Sequence, residues 1–118
     1  MPVTPREDRV EKAQQLVKEG RVHPQGCSEL VCEVLGIAWQ DANSLLGDDP
    51  TDAGTNNHYP TLTPGDIVGW KAAAHGHVAV YIGDAGDHAG FIDVRGEGEA
   101  PRHLTGYGAT ALKKSSIY

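Results

Sequence analysis

The sequence predicts an α+β domain, with N-terminal helices packed on an antiparallel sheet. Three observations carry that expectation. Apolar residues recur at helical spacing as far as Leu46. From Leu62 the pattern changes to short apolar runs divided by turn residues such as Pro64-Gly65-Asp66. Helices thus come first and a meander of strands follows, an order that suits helices on one side of an antiparallel sheet.

A chain of 118 residues is expected to form one domain, 1–118, with a core of its own. Fifteen Gly and seven Pro imply many turns and short elements. Ten Lys and Arg against sixteen Asp and Glu give a formal charge of -6, which argues against nucleic acid or an anionic membrane as partner. No apolar run reaches the roughly 18 residues of a membrane-spanning helix. The segment Met1-Pro2-Val3-Thr4-Pro5-Arg6-Glu7-Asp8 has no apolar stretch, so no Sec signal is expected there. The two cysteines, Cys27 and Cys32, stand five apart on one helix and face different ways. They are poorly placed for a mutual disulfide and do not form a Cys-x-x-Cys pair. Free thiols suit synthesis and folding in the cytoplasm.

Taken in order, Thr4-Pro5-Arg6-Glu7 predicts a helix start, with Thr4 as cap, Pro5 in the first turn and Glu7 closing a capping box. Val10, Ala13, Leu16 and Val17 set its apolar stripe over residues 5–19, and Gly20 is the expected stop. A second helix is expected over residues 27–35, burying Leu30, Val31, Val34 and Leu35 before Gly36. A third is expected over residues 39–46, with Trp39, Ala42, Leu45 and Leu46 on one face. Residues 47–60 lack periodicity and predict a polar loop, long enough to serve as a wall of a site or as a plain surface loop. Strands are expected over residues 67–70, 77–82 and 91–95, with two further candidates at 102–105 and 112–118.

Four residues are candidates for chemistry. Cys27 follows Pro24-Gln25-Gly26 at a helix start, where backbone N–H groups and the helix dipole favour a thiolate. A small buried hydrophobe is the equal alternative, and Cys32, a turn deeper, fits that description better. His77 opens the most apolar strand, with Gly76 before it to let another segment approach. It is a candidate general base, with His75 as its rival and a purely structural histidine as the alternative. Asp93 is a lone carboxylate inside the strand Phe91-Ile92-Asp93-Val94 and needs a partner. That partner is either an imidazolium to orient or an arginine, Arg95 or Arg102. Gln25 could donate to an oxyanion beside the backbone N–H of Cys27, or simply sit in water. A mixed metal site from His75 and His77 with Asp93, His88 or His58 lacks the tight ligand spacing of known helical sites, so no metal and no cofactor are expected.

With these residues in hand, the chain resembles the NlpC-type cell-wall cysteine peptidases and the related CHAP amidases. The likeness rests on Cys27-Ser28-x-Leu30-Val31, on Leu62-Thr63-Pro64-Gly65-Asp66-Ile67-Val68, on Gly76-His77-Val78-Ala79-Val80-Tyr81-Ile82-Gly83 and on Phe91-Ile92-Asp93, in that order. It implies a papain-like core and a cysteine hydrolase, with Cys27 as nucleophile, His77 as base and then acid, and Asp93 as third member. It implies cleavage of amide bonds in peptidoglycan stem peptides, between D-glutamate and a diamino acid. Many members carry Asp before the cysteine and Gly two after it, where this chain has Gly26 and Glu29, and specificity is expected to differ there. Without a signal segment or binding modules, the chain resembles amidase toxins delivered by type VI secretion, or a phage lysin. It would be exported to act in the periplasm or cell wall of a target bacterium, and an immunity protein is the implied partner. A monomer is the expected state. The alternatives are a papain-like deamidase, transglutaminase or acyltransferase toxin acting on a protein or lipid, and a non-catalytic binding module on the same fold.

Overall fold

The computed structural model describes residues 2–73, 76–83 and 90–118. Three helices, α1 (Arg6–Glu19), α2 (Cys27–Leu35) and α3 (Ala42–Leu46), precede a six-stranded sheet. Its strands are β1 (Thr51–Gly54), β2 (Ile67–Trp70), β3 (His77–Gly83), β4 (Gly90–Val94), β5 (Pro101–Leu104) and β6 (Leu112–Lys114). Their order is β1-β6-β2-β3-β4-β5, and every pair is antiparallel. The expected α+β class and the meander β2 to β5 are present.

Strand alternation divides the interior into two layers. Ile67, Val78, Val80, Ile82, Ile92 and Val94 pack beneath the helices with Leu30, Val31, Val34 and Leu35 of α2. Val68, Ala79, Phe91 and Leu112 point to the opposite face, covered by Tyr59, Leu62 and Tyr107 from connecting segments. Since successive strand residues point opposite ways, Asp93 shares the second face with Phe91. Burial of the first layer is the main source of stability, at about 25 cal/mol per Å² of apolar surface. Among the described residues, no helix is long and apolar enough to cross a membrane.

Several local expectations need correction. Helix α1 starts at Arg6, and Pro5 is its cap residue with an extended ψ of 149° and no side-chain cap bond. Thr4 is instead tied by its backbone, donating to the Leu35 carbonyl and accepting from the Arg9 guanidinium. Arg9 is itself buried in α1 and also donates to the carbonyls of Gly65 and Tyr118. Helix α3 begins three residues later than expected, because the Asp41 carboxylate accepts from the Ser44 N–H and fixes the start there. Trp39 therefore lies outside the helix and is 52% exposed. Within the expected loop at 47–60, residues Thr51–Gly54 form β1, an edge strand recruited by β6. The last strand stops at Lys114, since the Ser115 hydroxyl accepts from the N–H groups of Ile117 and Tyr118 and turns the chain.

Candidate active site

Cys27 is the first residue of α2 and follows a cap glycine, Gly26, held at φ +72°. A Cβ there would lie 3.3 Å from the backbone of Gly96 and Glu97. The aspartate found at this place in many proteins of the resembled family would be strained twice, by φ and by that contact. Glu29 reaches back from the first turn of α2, where its carboxylate accepts the Gln25 backbone N–H at 2.8 Å. The turn 24–26 is thus fastened to the helix it introduces, and the thiol is delivered at the helix's positive end.

His77 is the first residue of β3 and is paired in register with Trp70, whose indole stacks on the imidazole at 4.8 Å. Gly76 lets α3 and β2 come close: a Cβ would sit 2.6 Å from Asn43 Oδ1 and 2.7 Å from the Trp70 carbonyl. This is the close approach expected of that glycine. Nε2 of His77 lies 2.8 Å from Oδ2 of Asp93 on the neighbouring strand. The imidazole also lies close enough to the Cys27 thiol for the two groups to shift one another's protonation. Cys27, His77 and Asp93 are therefore brought together, although fifty and sixteen residues separate them in sequence.

Electrostatics follow from this geometry. Burial pushes the Cys27 thiol up, but the His77 hydrogen bond and charge, with the Val78 N–H, outweigh it and hold the thiol below its ordinary 9.0. Burial works against the His77 cation, yet Asp93 and Cys27 together raise His77 to about 9. Each charge favours the other, since the imidazolium lowers the thiol and the thiolate raises the imidazole. Burial also opposes the Asp93 charge, and hydrogen bonds from His77, Arg102 and Tyr107 more than compensate, keeping its carboxyl below the usual range. Cys32 differs: burial pushes its thiol up.

Tyr107 and Arg102 complete the carboxylate's surroundings. The Tyr107 hydroxyl donates to Asp93 Oδ2 at 2.5 Å, and Arg102 Nε donates to Oδ1 at 2.8 Å. Burial, then the Asp93 charge, raises the Tyr107 phenol far above its ordinary value, so it serves as a permanent donor. Arg102 faces Asp93 directly across β4 and β5, as one of the two sequence alternatives proposed. Asp93 fills both suggested roles at once, holding an imidazole and an arginine. Arg95 is exposed and lines the cleft instead. Tyr107 carried no signal in the sequence, since it lies in a connecting segment rather than on a patterned element.

A cleft of about 730 Å³ opens over the cysteine. Gln25, Gly26, Cys27 and Ser28 form one side, Trp39, Asp41 and Asn43 another, and His77, Arg95 and Glu97 the remainder. Trp39 is fixed there by its indole N–H, which donates to the Ser28 hydroxyl at 3.0 Å. Gln25 lines the cleft, while its backbone N–H is taken by Glu29. No residue of the 47–60 segment lines it, so that segment walls no part of the cleft. Of the histidines considered for a metal with His77, His75 and His88 lie outside the described residues.

No family model matches the chain, and neither a curated protein nor a solved structure matches it. The chemistry of the site therefore rests on its own geometry.

Proposed function

We propose that this protein is a cysteine amidase with a papain-like core, acting on the stem peptides of bacterial peptidoglycan. The observation that carries the chemistry is that Cys27 and His77 line one open cleft and the buried Asp93 holds His77, with the thiol lowered and the imidazole raised. A helix-opening cysteine packed on an antiparallel sheet, a histidine on one strand and a carboxylate on the next support the papain-like assignment. The substrate class is supported by the sequence resemblance to NlpC-type and CHAP enzymes, and so is delivery into a rival bacterium with an immunity protein guarding the producer.

The Cys27 thiolate attacks the scissile carbonyl, and negative charge develops on its oxygen. The first N–H groups of α2 lack intrahelical partners, and with the Gln25 amide they are the donors for that oxyanion. The His77 imidazolium gives its proton to the departing amine, and a thioester to Cys27 remains. Neutral His77 then takes a proton from water as the water attacks the thioester. Collapse expels the thiolate and releases the carboxylic acid, which restores the ion pair. Asp93 holds the imidazole in one orientation throughout and stays charged under Tyr107 and Arg102.

Incubating the purified protein with sacculi should release new peptide fragments, and Cys27→Ala should release none. Identical muropeptide profiles for both proteins, unchanged from untreated sacculi, would rule out the substrate. An acyl group found on Cys27 by mass after exposure to a protein or lipid substrate would then keep the thiol chemistry and move the activity to deamidation or acyl transfer. A Cys27 that alkylates no faster than an ordinary thiol would point to a binding module.

A further inference from the structure

Outside the cleft, a second histidine–carboxylate group stands on the far side of the nucleophile turn. His23 is fully buried, and its Nδ1 lies 2.9 Å from the Arg21 carbonyl. A carbonyl only accepts, so Nδ1 carries a proton and Nε2 is the ring atom left to face the helix. That nitrogen is buried without a hydrogen-bond partner. It lies 2.7 Å from Oε1 of Glu33, close enough for an ion pair but out of line for a hydrogen bond. Glu29 and Glu33 stand four apart on one face of α2. One donor atom from each of His23, Glu29 and Glu33 falls within 4.8 Å of the others.

From these observations we propose that His23, Glu29 and Glu33 form a binding site for a divalent transition metal of the zinc class. A buried imidazole nitrogen aimed at two carboxylates is a borderline donor set that suits zinc better than magnesium or calcium. The Nδ1–carbonyl bond is the arrangement that fixes the tautomer and orientation of metal-bound histidines. Glu29 spends Oε1 on the Gln25 N–H, and its Oε2, 3.9 Å from Arg21 Nη1, is the oxygen a metal would take in place of that cation. The guanidinium of Arg21 rests 2.5 Å from both oxygens of Glu33, which marks where the group demands positive charge. Arg21 is half exposed and can swing into solvent when a metal takes its place. The backbone of His23 also bridges Glu99 and Gly98, in the loop whose Gly96 and Glu97 line the cleft. A metal here would fasten the nucleophile turn, α2 and that loop at one point. The sequence gives no sign of the site, because its imidazole lies six and ten residues from the two carboxylates, on a turn before their helix.

The test uses the full chain carrying Cys27→Ala, so that the cleft thiol captures no metal. Zinc uptake is followed by competition with a chromophoric chelator, and the melting temperature is recorded with and without zinc. One equivalent of zinc is expected, with a raised melting temperature and no comparable response to magnesium. Glu33→Gln and His23→Asn should each weaken binding by about tenfold or more, and Arg21→Ala should tighten it. Glu33 is partly exposed, so its variant keeps the test open if the buried His23 variant misfolds. Absence of zinc uptake, or uptake that Glu33→Gln leaves unchanged, would overturn the site. Neither result bears on the hydrolase chemistry, which uses other residues.

Discussion

Cys27 and Cys32 sit five residues apart on the same nine-residue helix, and their thiols are driven in opposite directions. Both are desolvated, so burial alone does not distinguish them. Cys32 is 3% exposed, and it meets only the backbone of Gln40, whose N–H lies 3.3 Å from the sulfur. Cys27 meets an imidazole that is itself held by a buried carboxylate. Desolvation makes a thiol inert where nothing stabilises its charge, and it strengthens the pairing where a cation stands beside it. The difference between a core residue and a nucleophile is thus set by what comes from β3, not by the helix.

Removing the imidazole should erase the difference. In His77→Ala, hydrolysis is expected to fall by about 10²–10⁴, and iodoacetamide should modify Cys27 at the rate of an ordinary thiol. Retention of fast alkylation would mean that the helix start, not His77, activates the sulfur.

The pH profile tests the same pair. Thiolate forms as pH rises through the lowered Cys27 value, which gives the acid limb. Imidazolium, needed to protonate the leaving amine, is lost as pH rises through about 9, which gives the alkaline limb. A bell with its alkaline limb near that pH is expected in kcat/KM. An activity still climbing well above it would show that His77 does not act as the acid.

A smaller effect is expected one residue further back. Asp93→Ala removes a charge-assisted hydrogen bond worth about 1.5–3 kcal/mol, so activity should drop about tenfold to a hundredfold. The alkaline limb should move to lower pH, because His77 loses the carboxylate that raises it. Tyr107→Phe removes only one of three donors to Asp93. Its loss should be tenfold at most, on the order of 1.4 kcal/mol, with the alkaline limb close to its original place. A drop as large as that of His77→Ala would give the phenol a direct part in the chemistry.

Cys32→Ala should do least. Alkylation of Cys27 and turnover should stay near wild type, while stability falls by about 1 kcal/mol, the usual cost of a substitution, as read by denaturant titration. If Cys32→Ala slowed alkylation of Cys27 as much as Asp93→Ala, the two thiols would not be independent.

Much of the fold was legible because period and punctuation agreed. Helix α2 appears with its predicted ends, Gly26 and Gly36, and β2, β3 and β4 fall within a residue or two of expectation. Strand β1 was not legible: Thr51-Asp52-Ala53-Gly54 has no alternation, and it becomes a strand only because β6 offers an open edge. Trp39 carried a helical signal that the Asp41 cap overruled.

By itself, the sequence determined most of the helices and the central strands, that a cysteine opens a helix, and that one carboxylate interrupts an apolar strand. These are local properties, fixed by side-chain period, by glycine conformation and by the few residues that cap or break elements. Only the tertiary structure decided that His77 comes beside Cys27, that Asp93 is shared among an imidazole, a phenol and a guanidinium, and that His23 faces two glutamates. Those depend on strand register and on where connecting segments return, and such long-range pairings leave no periodic trace in the chain.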